Sequence, residues 1–197
     1  MPFNESEPER QSIQVTRSFG VKLKSFDDIA QAVSVHATRL GEKLRSRKLV
    51  TPAIYVFCRN SPFSSTEVYY KGTSIMEFDT YTNNTSVLIK GALAALRHAF
   101  RPGFTYHAAG VGAWDLTQEG AKKQKQMLSD HPTPMIITTN NTQKNIALNV
   151  AIDKLNQLNG KDTVFFASSG IKPRHVTKQL MRSPRFTTRW DELARVV

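Results

Sequence analysis

Seven cations crowd the C-terminal end of the chain: Lys172, Arg174, Lys178, Arg182, Arg185, Arg189 and Arg195 face only Asp191 and Glu192. Pro184, Phe186 and Trp190 are interleaved with them. A second set lies upstream, where Ser18, Lys22 and Lys24 fall at alternate positions, with Tyr55, Arg59 and Lys71 further on. Guanidinium and ammonium groups spaced in this way neutralise phosphates and do no covalent chemistry. A charge run is by default a solvated face, and that bland account needs no ligand. The aromatic residues among the cations favour a polyanion, most simply nucleic acid.

The groups that covalent chemistry needs are scattered. Adjacent acids occur only at Asp27-Asp28 and Asp191-Glu192, and helix capping accounts for the first pair. His36, His98, His107, His131 and His175 show no paired metal spacing, and Cys58 is the one possible thiolate. Gly110-x-Gly112 is a lone fragment of a dinucleotide fingerprint inside a strand. No cofactor is expected, and the chain is not expected to be an enzyme by itself.

Composition sets the frame for these residues. The chain has 197 residues, 40% of them hydrophobic, and a net charge of +11. A packed core is therefore expected and global disorder is not. Residues 134–197 hold ten Lys and Arg against four Asp and Glu, more than half of the excess. One cysteine excludes an internal disulfide and fits a reducing, cytoplasmic setting. No apolar run approaches the roughly 20 residues that cross a bilayer, so no membrane partner is expected.

The elements that must position the cations read as follows. Residues 1–11 are polar and carry two prolines, a linker. Ile13, Val15, Phe19, Val21 and Leu23 alternate with polar residues as a half-buried strand, Arg17 interrupting the register and Gly20 marking a bulge. Ser25 caps a helix whose apolar stripe runs through Ile29, Val33, Ala37, Leu40 and Leu44. In the strand 52–59, Ile54, Val56 and Cys58 share one face and Tyr55, Phe57 and Arg59 the other. A strand over 68–78, irregular around Gly72, precedes a helix with Ile89, Ala92, Leu93, Leu96 and Phe100 inward. A strand over 105–113 closes the series.

This order is β-α-β-β-α-β. It predicts an α+β fold: a four-stranded, antiparallel-rich sheet over residues 12–117 with both helices on one face. The other face is left open, with polar, basic and aromatic residues. Residues 118–132 read as a tether. Residues 133–197 form a small C-terminal α/β appendage, with a helix over 142–159 turning Leu148, Ala151, Ile152, Leu155 and Leu158 inward and a strand over 163–167. On the open face, Tyr55 and Phe57 could instead stack on bases, which would make a stand-alone RNA-binding sheet domain.

Several segments resemble one family. Thr16-Arg17-Ser18-Phe19-Gly20 is similar to the opening of the little-finger domain in UmuC-type Y-family DNA polymerases, the catalytic subunits of DNA polymerase V. Asn60-Ser61-Pro62-Phe63, Tyr69-Tyr70 and Arg101-Pro102-Gly103, with Tyr106 and Ala109-Gly110-Val111, follow the same order. So do Phe165-Phe166-Ala167-Ser168-Ser169-Gly170 and the stretch from Arg182 to Leu193.

The resemblance implies the C-terminal part of a translesion polymerase of the SOS response: a little finger gripping primer–template duplex, then the small UmuC-type C-terminal domain. The palm, with its Mg²⁺ ligands, is not in this sequence. Arg17, Ser18, Gly20, Lys22, Lys24, Tyr55, Arg59 and Lys71 are the expected DNA contacts. Ala108 stands where relatives often carry a lysine, one phosphate contact fewer.

Gln124-Lys125-Gln126-Met127-Leu128 resembles the family's sliding-clamp peptide, with Gln124, Met127 and Leu128 as its contacts and Leu128 where an aromatic is common. Arg185, Phe186, Arg189 and Trp190 are expected to bind a partner. The family's partners are duplex DNA, the clamp, the processed UmuD dimer and the recombinase filament. A different class of function also fits: a regulatory interaction fragment that competes for clamp or polymerase partners.

Overall fold

The computed structural model describes residues 11–64, 67–120, 136–137, 143–171, 175–176, 183, 185, 187 and 189–193. The chain runs β1 (Ser12–Leu23), α1 (Phe26–Ser46), β2 (Leu49–Arg59), β3 (Lys71–Thr82), α2 (Thr85–Ala99) and β4 (Tyr106–Trp114). The short strands β5 (Thr117–Gln118) and β6 (Ile136–Ile137) follow, then α3 (Gln143–Asn159). Two 3-10 turns lie at Ala167–Ser169 and Trp190–Glu192. The fold is α+β.

Period-two alternation builds the sheet. Its order is β1-β4-β2-β3, all antiparallel; β6 adds in parallel to β3, and β5 pairs with the start of β2. Register lines up Ile13, Ala113, Ile54 and Met76 across one face, with Val15, Val111, Val56 and Ser74 beside them. Against this face pack Ile29, Val33, Leu40 and Leu44 of α1 and Leu88, Ala92 and Leu96 of α2, all fully buried. Each large aliphatic side chain sealed in this way stabilises the fold by about 1.5–3 kcal/mol.

Caps fix where the helices start. Ser25 Oγ accepts from Asp27 N–H at 3.2 Å, and Asn84 Oδ1 accepts from Ser86 N–H at 3.0 Å. A register irregularity lies between Ser18 and Leu23, the stretch that holds Gly20. Gly72 is regular, paired with Cys58, with its α-carbon against the Ala99 carbonyl at the end of α2. The irregularity of β3 falls instead between Glu77 and Thr82. The 163–167 segment is not a strand: it is bends leading into the Ala167–Ser169 turn, and the Thr163 hydroxyl caps the end of α3 through Gly160 O at 2.8 Å.

The C-terminal helix reverses the expected orientation. Leu148, Leu155 and Leu158 are exposed, Leu158 at 83%. The polar side of α3 faces the protein instead. Asn149 is buried, Asp153 binds Arg45 of α1, and Asn156 holds the Val164 backbone through both amide atoms at 2.8 and 3.0 Å. The Arg45–Asp153 ion pair sets the docking here, so the apolar stripe does not mark the buried side.

Candidate nucleic-acid interface

The face of the sheet opposite the helices carries the site. Four cross-strand rows compose it: Ser12–Trp114–Ala53–Glu77, Gln14–Gly112–Tyr55–Ile75, Thr16–Gly110–Phe57–Thr73 and Ser18–Ala108–Arg59–Lys71. No helix covers this face among the described residues. The described C-terminal residues reach the α1 side instead, through Arg45–Asp153, Arg39–Asp162 and the contact of Gly170 with Gln31.

Charge is concentrated at one end of the face. Ser18, Arg59 and Lys71 share the last row, and Glu77 stands in the first. Just beyond that last row, Lys22 and Lys24 line a cleft of about 600 Å³ with Thr105 and two carboxylates, Asp28 and Glu67. Thr105 Oγ1 donates to Glu67 Oε1 at 2.5 Å and its N–H donates to Oε2 at 3.3 Å. The Thr105 hydroxyl, chiefly, with Lys22 nearby, holds the Glu67 carboxyl below its usual range. Glu67 is thereby fixed on Thr105 at the rim of the cationic cluster.

The centre of the face is aromatic. The Phe57 and Tyr55 rings lie on the backbone of β4 where Gly110 and Gly112 leave room. A Cβ at Gly110 would stand 2.5 Å from Phe57 Cε1, and one at Gly112 would run into the Tyr55 ring. Lys71 Nζ sits 5.5 Å from the Phe57 centroid, and Phe57 is only 7% exposed. Tyr55 packs on Trp114 at 5.7 Å, and its hydroxyl donates to Gln14 Oε1 at 2.9 Å. Burial raises the Tyr55 hydroxyl above its ordinary value. Phe57 is thus flooring for the face, closed to a stacking base. The glycine pair marks ring-on-backbone contacts at this site.

Of the expected DNA contacts, the structure brings Ser18, Lys22, Lys24, Arg59 and Lys71 to one end of the sheet. Arg17 goes elsewhere. Its row is Arg17–Ala109–Cys58–Gly72, the helix-side register, and its charge acts on the buried His36 of α1. The reason is parity: successive side chains of a strand point to opposite faces, and Arg17 and Ser18 are adjacent. Gly20 lies in the irregular stretch between them and the lysines.

Cys58, on the same inward register, is fully buried. Its thiol donates to Ala99 O at 3.4 Å, and burial pushes it up to about 12. That makes it a core residue without nucleophilic use. Gln124, Met127, Leu128 and Phe186 lie outside the described residues. Arg185 O accepts from Arg189 N–H at 2.9 Å, Arg189 Nη1 is 3.7 Å from Asp191 Oδ2, and Trp190 is 89% exposed.

The feature that sequence reasoning missed is the loop joining β2 to β3. Its apolar residues Phe63, Val68 and Tyr69 are exposed directly beyond Arg59 and Lys71. The signal was the Ser61-Pro62-Phe63 turn, an aromatic where a polar residue would serve.

Among the described residues, no three His, Cys, Asp or Glu side chains gather to hold a metal ion. No helix among the described residues is long and apolar enough to cross a membrane.

Comparison with known proteins gives the following. Residues 10–127 match the impB/mucB/samB family C-terminal domain, and residues 147–196 match a domain of unknown function, DUF4113. The chain is similar to protein UmuC of Salmonella typhimurium, 32% identical over 196 residues, covering 100% of this chain and 44% of the relative. It is similar to protein MucB of Salmonella typhimurium, 33% identical over 191 residues, covering 97% and 43%. The chain thus spans less than half the length of these relatives. One solved structure, a complex of the beta-clamp processivity factor and the little finger domain of PolIV, superposes with a TM-score of 0.40. It is 14% identical and covers 61% of this chain and 99% of that one.

Proposed function

The chain belongs to the impB/mucB/samB family through its C-terminal domain, and on that premise we propose that it is the duplex-gripping C-terminal part of an error-prone, UmuC-type Y-family DNA polymerase of the SOS response. One observation carries the reading: Ser18, Arg59 and Lys71 end a sheet face that no helix covers among the described residues, with Lys22 and Lys24 beside them. Phosphates of a duplex laid along that end meet several cations at once, and the grip is independent of base sequence. The chain positions DNA. Nucleotide transfer belongs to the palm of the whole polymerase.

Its other partners follow the same family logic. The sliding clamp takes Gln124, Met127 and Leu128, and the processed UmuD dimer and the recombinase filament bind the polymerase in the cytoplasm. The test is a titration of labelled primer–template duplex between 50 and 200 mM salt. Four phosphate contacts give a log–log slope of about −3.6, or roughly a hundredfold loss of affinity over that range. A flat response rejects the reading.

A second reading has its own observation. The exposed Leu148, Leu155 and Leu158 stripe and the exposed Trp190 favour a protein-interaction module that competes for clamp or polymerase partners. Co-sedimentation with the clamp and none with duplex selects it. The RNA-binding alternative keeps Tyr55 but loses one of its two rings, because Phe57 is buried beneath Lys71.

A further inference from the structure

We propose that Phe63, at the tip of the loop between β2 and β3, enters the groove of the bound duplex and rests on sugar and base edges while Arg59 and Lys71 hold the flanking phosphates. The inference rests on the duplex-binding reading above and adds an apolar contact to a grip otherwise made of charges. Phe63 is 94% exposed and Val68 82% exposed, with Tyr69 half-exposed beside them. An aromatic ring left in water in this way is a binding element when its root is rigid and its surroundings select a partner.

The root is rigid. Asn60 is fully buried and ties both arms of the loop: its Nδ2 donates to Val68 O at 2.8 Å, and its Oδ1 accepts from Tyr70 N–H at 2.8 Å. Asn60 N–H donates to Tyr70 O at 3.1 Å. The Phe63 N–H donates to Ser61 Oγ at 3.3 Å, which sets the turn that points the ring outward. Glu67 is fixed on Thr105, and the Tyr70 ring stacks on Phe104 at 4.6 Å.

Charge selects the partner. The loop leaves the sheet at Arg59 and returns at Lys71, with Lys22 acting on Glu67 beside it. The nearest carboxylate in the loop, Glu67, is occupied by two hydrogen bonds from Thr105. A ring on a loop whose two ends are cations fits a polyanion that has apolar surface between its charges. That is the groove of a double helix, where aromatic wedges lie against sugars and base steps.

The test uses the full chain and a labelled 20-base-pair primer–template duplex. Phe63→Ala should weaken binding about tenfold at every salt concentration and leave the salt slope unchanged, since no cation is lost. Lys71→Gln should lower the slope by about one. In Phe63→Trp, emission attributable to position 63, read as the difference from wild type, should become shielded from acrylamide when duplex is added. Wild-type affinity in Phe63→Ala, or a position-63 signal still open to acrylamide in the complex, overturns the inference while duplex binding stands. Loss of clamp binding in Phe63→Ala with duplex affinity unchanged overturns it in favour of a protein contact. A wild-type chain with no salt-dependent duplex binding overturns both the inference and the reading beneath it. Unfolding midpoints of the variants should equal wild type, because the ring touches solvent.

Discussion

Arg45 of α1 grips Asp153 of α3 with two parallel hydrogen bonds, Nε to Oδ2 at 2.7 Å and Nη2 to Oδ1 at 2.8 Å. Its third nitrogen, Nη1, donates to Asn83 O at 2.7 Å and to Thr85 Oγ1 at 2.8 Å, at the start of α2. One guanidinium thus ties the C-terminal helix to both helices beneath it. The bidentate geometry is the strong form of the pair, and both side chains are largely withdrawn from water.

Asp153→Ala should therefore release α3 before the sheet. The loss is about 1–3 kcal/mol, because the guanidinium keeps two of its four hydrogen bonds. Amide exchange is the measurement. Protection of α3 falls in the variant, while β2 and β4 exchange as in wild type. Equal loss across the whole chain would show that α3 and the sheet unfold as one unit.

The His36 imidazole gives the fold a pH response. Burial, chiefly, and then the nearby His175 and Arg17 push it down from 6.5 to about 4. His175 is lowered as well, by burial against the opposing pull of Asp28. The unfolded chain takes up the His36 proton near pH 6.5, and the folded chain only near pH 4. Between these values the unfolded state binds more protons, so stability is complete above about 6.5 and falls as pH drops toward 4. The loss is about 2–3 kcal/mol, readable as a lower urea midpoint at pH 4.5 than at pH 7.5. His36→Gln should flatten that difference.

What was legible in the residues follows from which forces they report. The alternation in 12–23 and 52–59 and the three-and-four spacing in 26–46 and 85–99 report burial against one layer, and the sheet and its two helices follow from them. An arginine on the open face and one on the helix-side register look alike in composition; only the odd position of Arg17 in β1 tells them apart. The orientation of α3 is not in its periodicity, which reports only which side is apolar, whereas the Asp153–Arg45 pair decides which side docks. β6 is two residues long and has no period to read. Gly110 and Gly112 were visible, but their use depends on Phe57 and Tyr55, about fifty residues earlier in the chain.

Gly112→Val tests that use. Its side chain would occupy the place of the Tyr55 ring, which then loses Gln14 and the packing on Trp114. Overpacking of this kind costs about 1–3 kcal/mol. The variant should unfold at lower denaturant with the slope unchanged. Gly112→Val combined with Tyr55→Ala should recover part of the loss, since the clash is with that ring. No recovery would place the strain in the backbone of β4.

Phe57 and Lys71 separate architecture from grip within a single contact. The ring lies on Gly110 and beneath the ammonium, so its burial is structural, while the ammonium above it is exposed to a ligand. Phe57→Ala should destabilise the chain by about 3–5 kcal/mol and weaken duplex binding only as far as the fold is lost. Lys71→Gln should leave the unfolding midpoint near wild type and remove about one phosphate contact from the salt slope. Binding and stability measured on the same two variants should therefore move in opposite patterns. A Phe57→Ala protein that stays folded yet loses single-strand binding selectively would make the ring a base-stacking platform and return the open face to RNA.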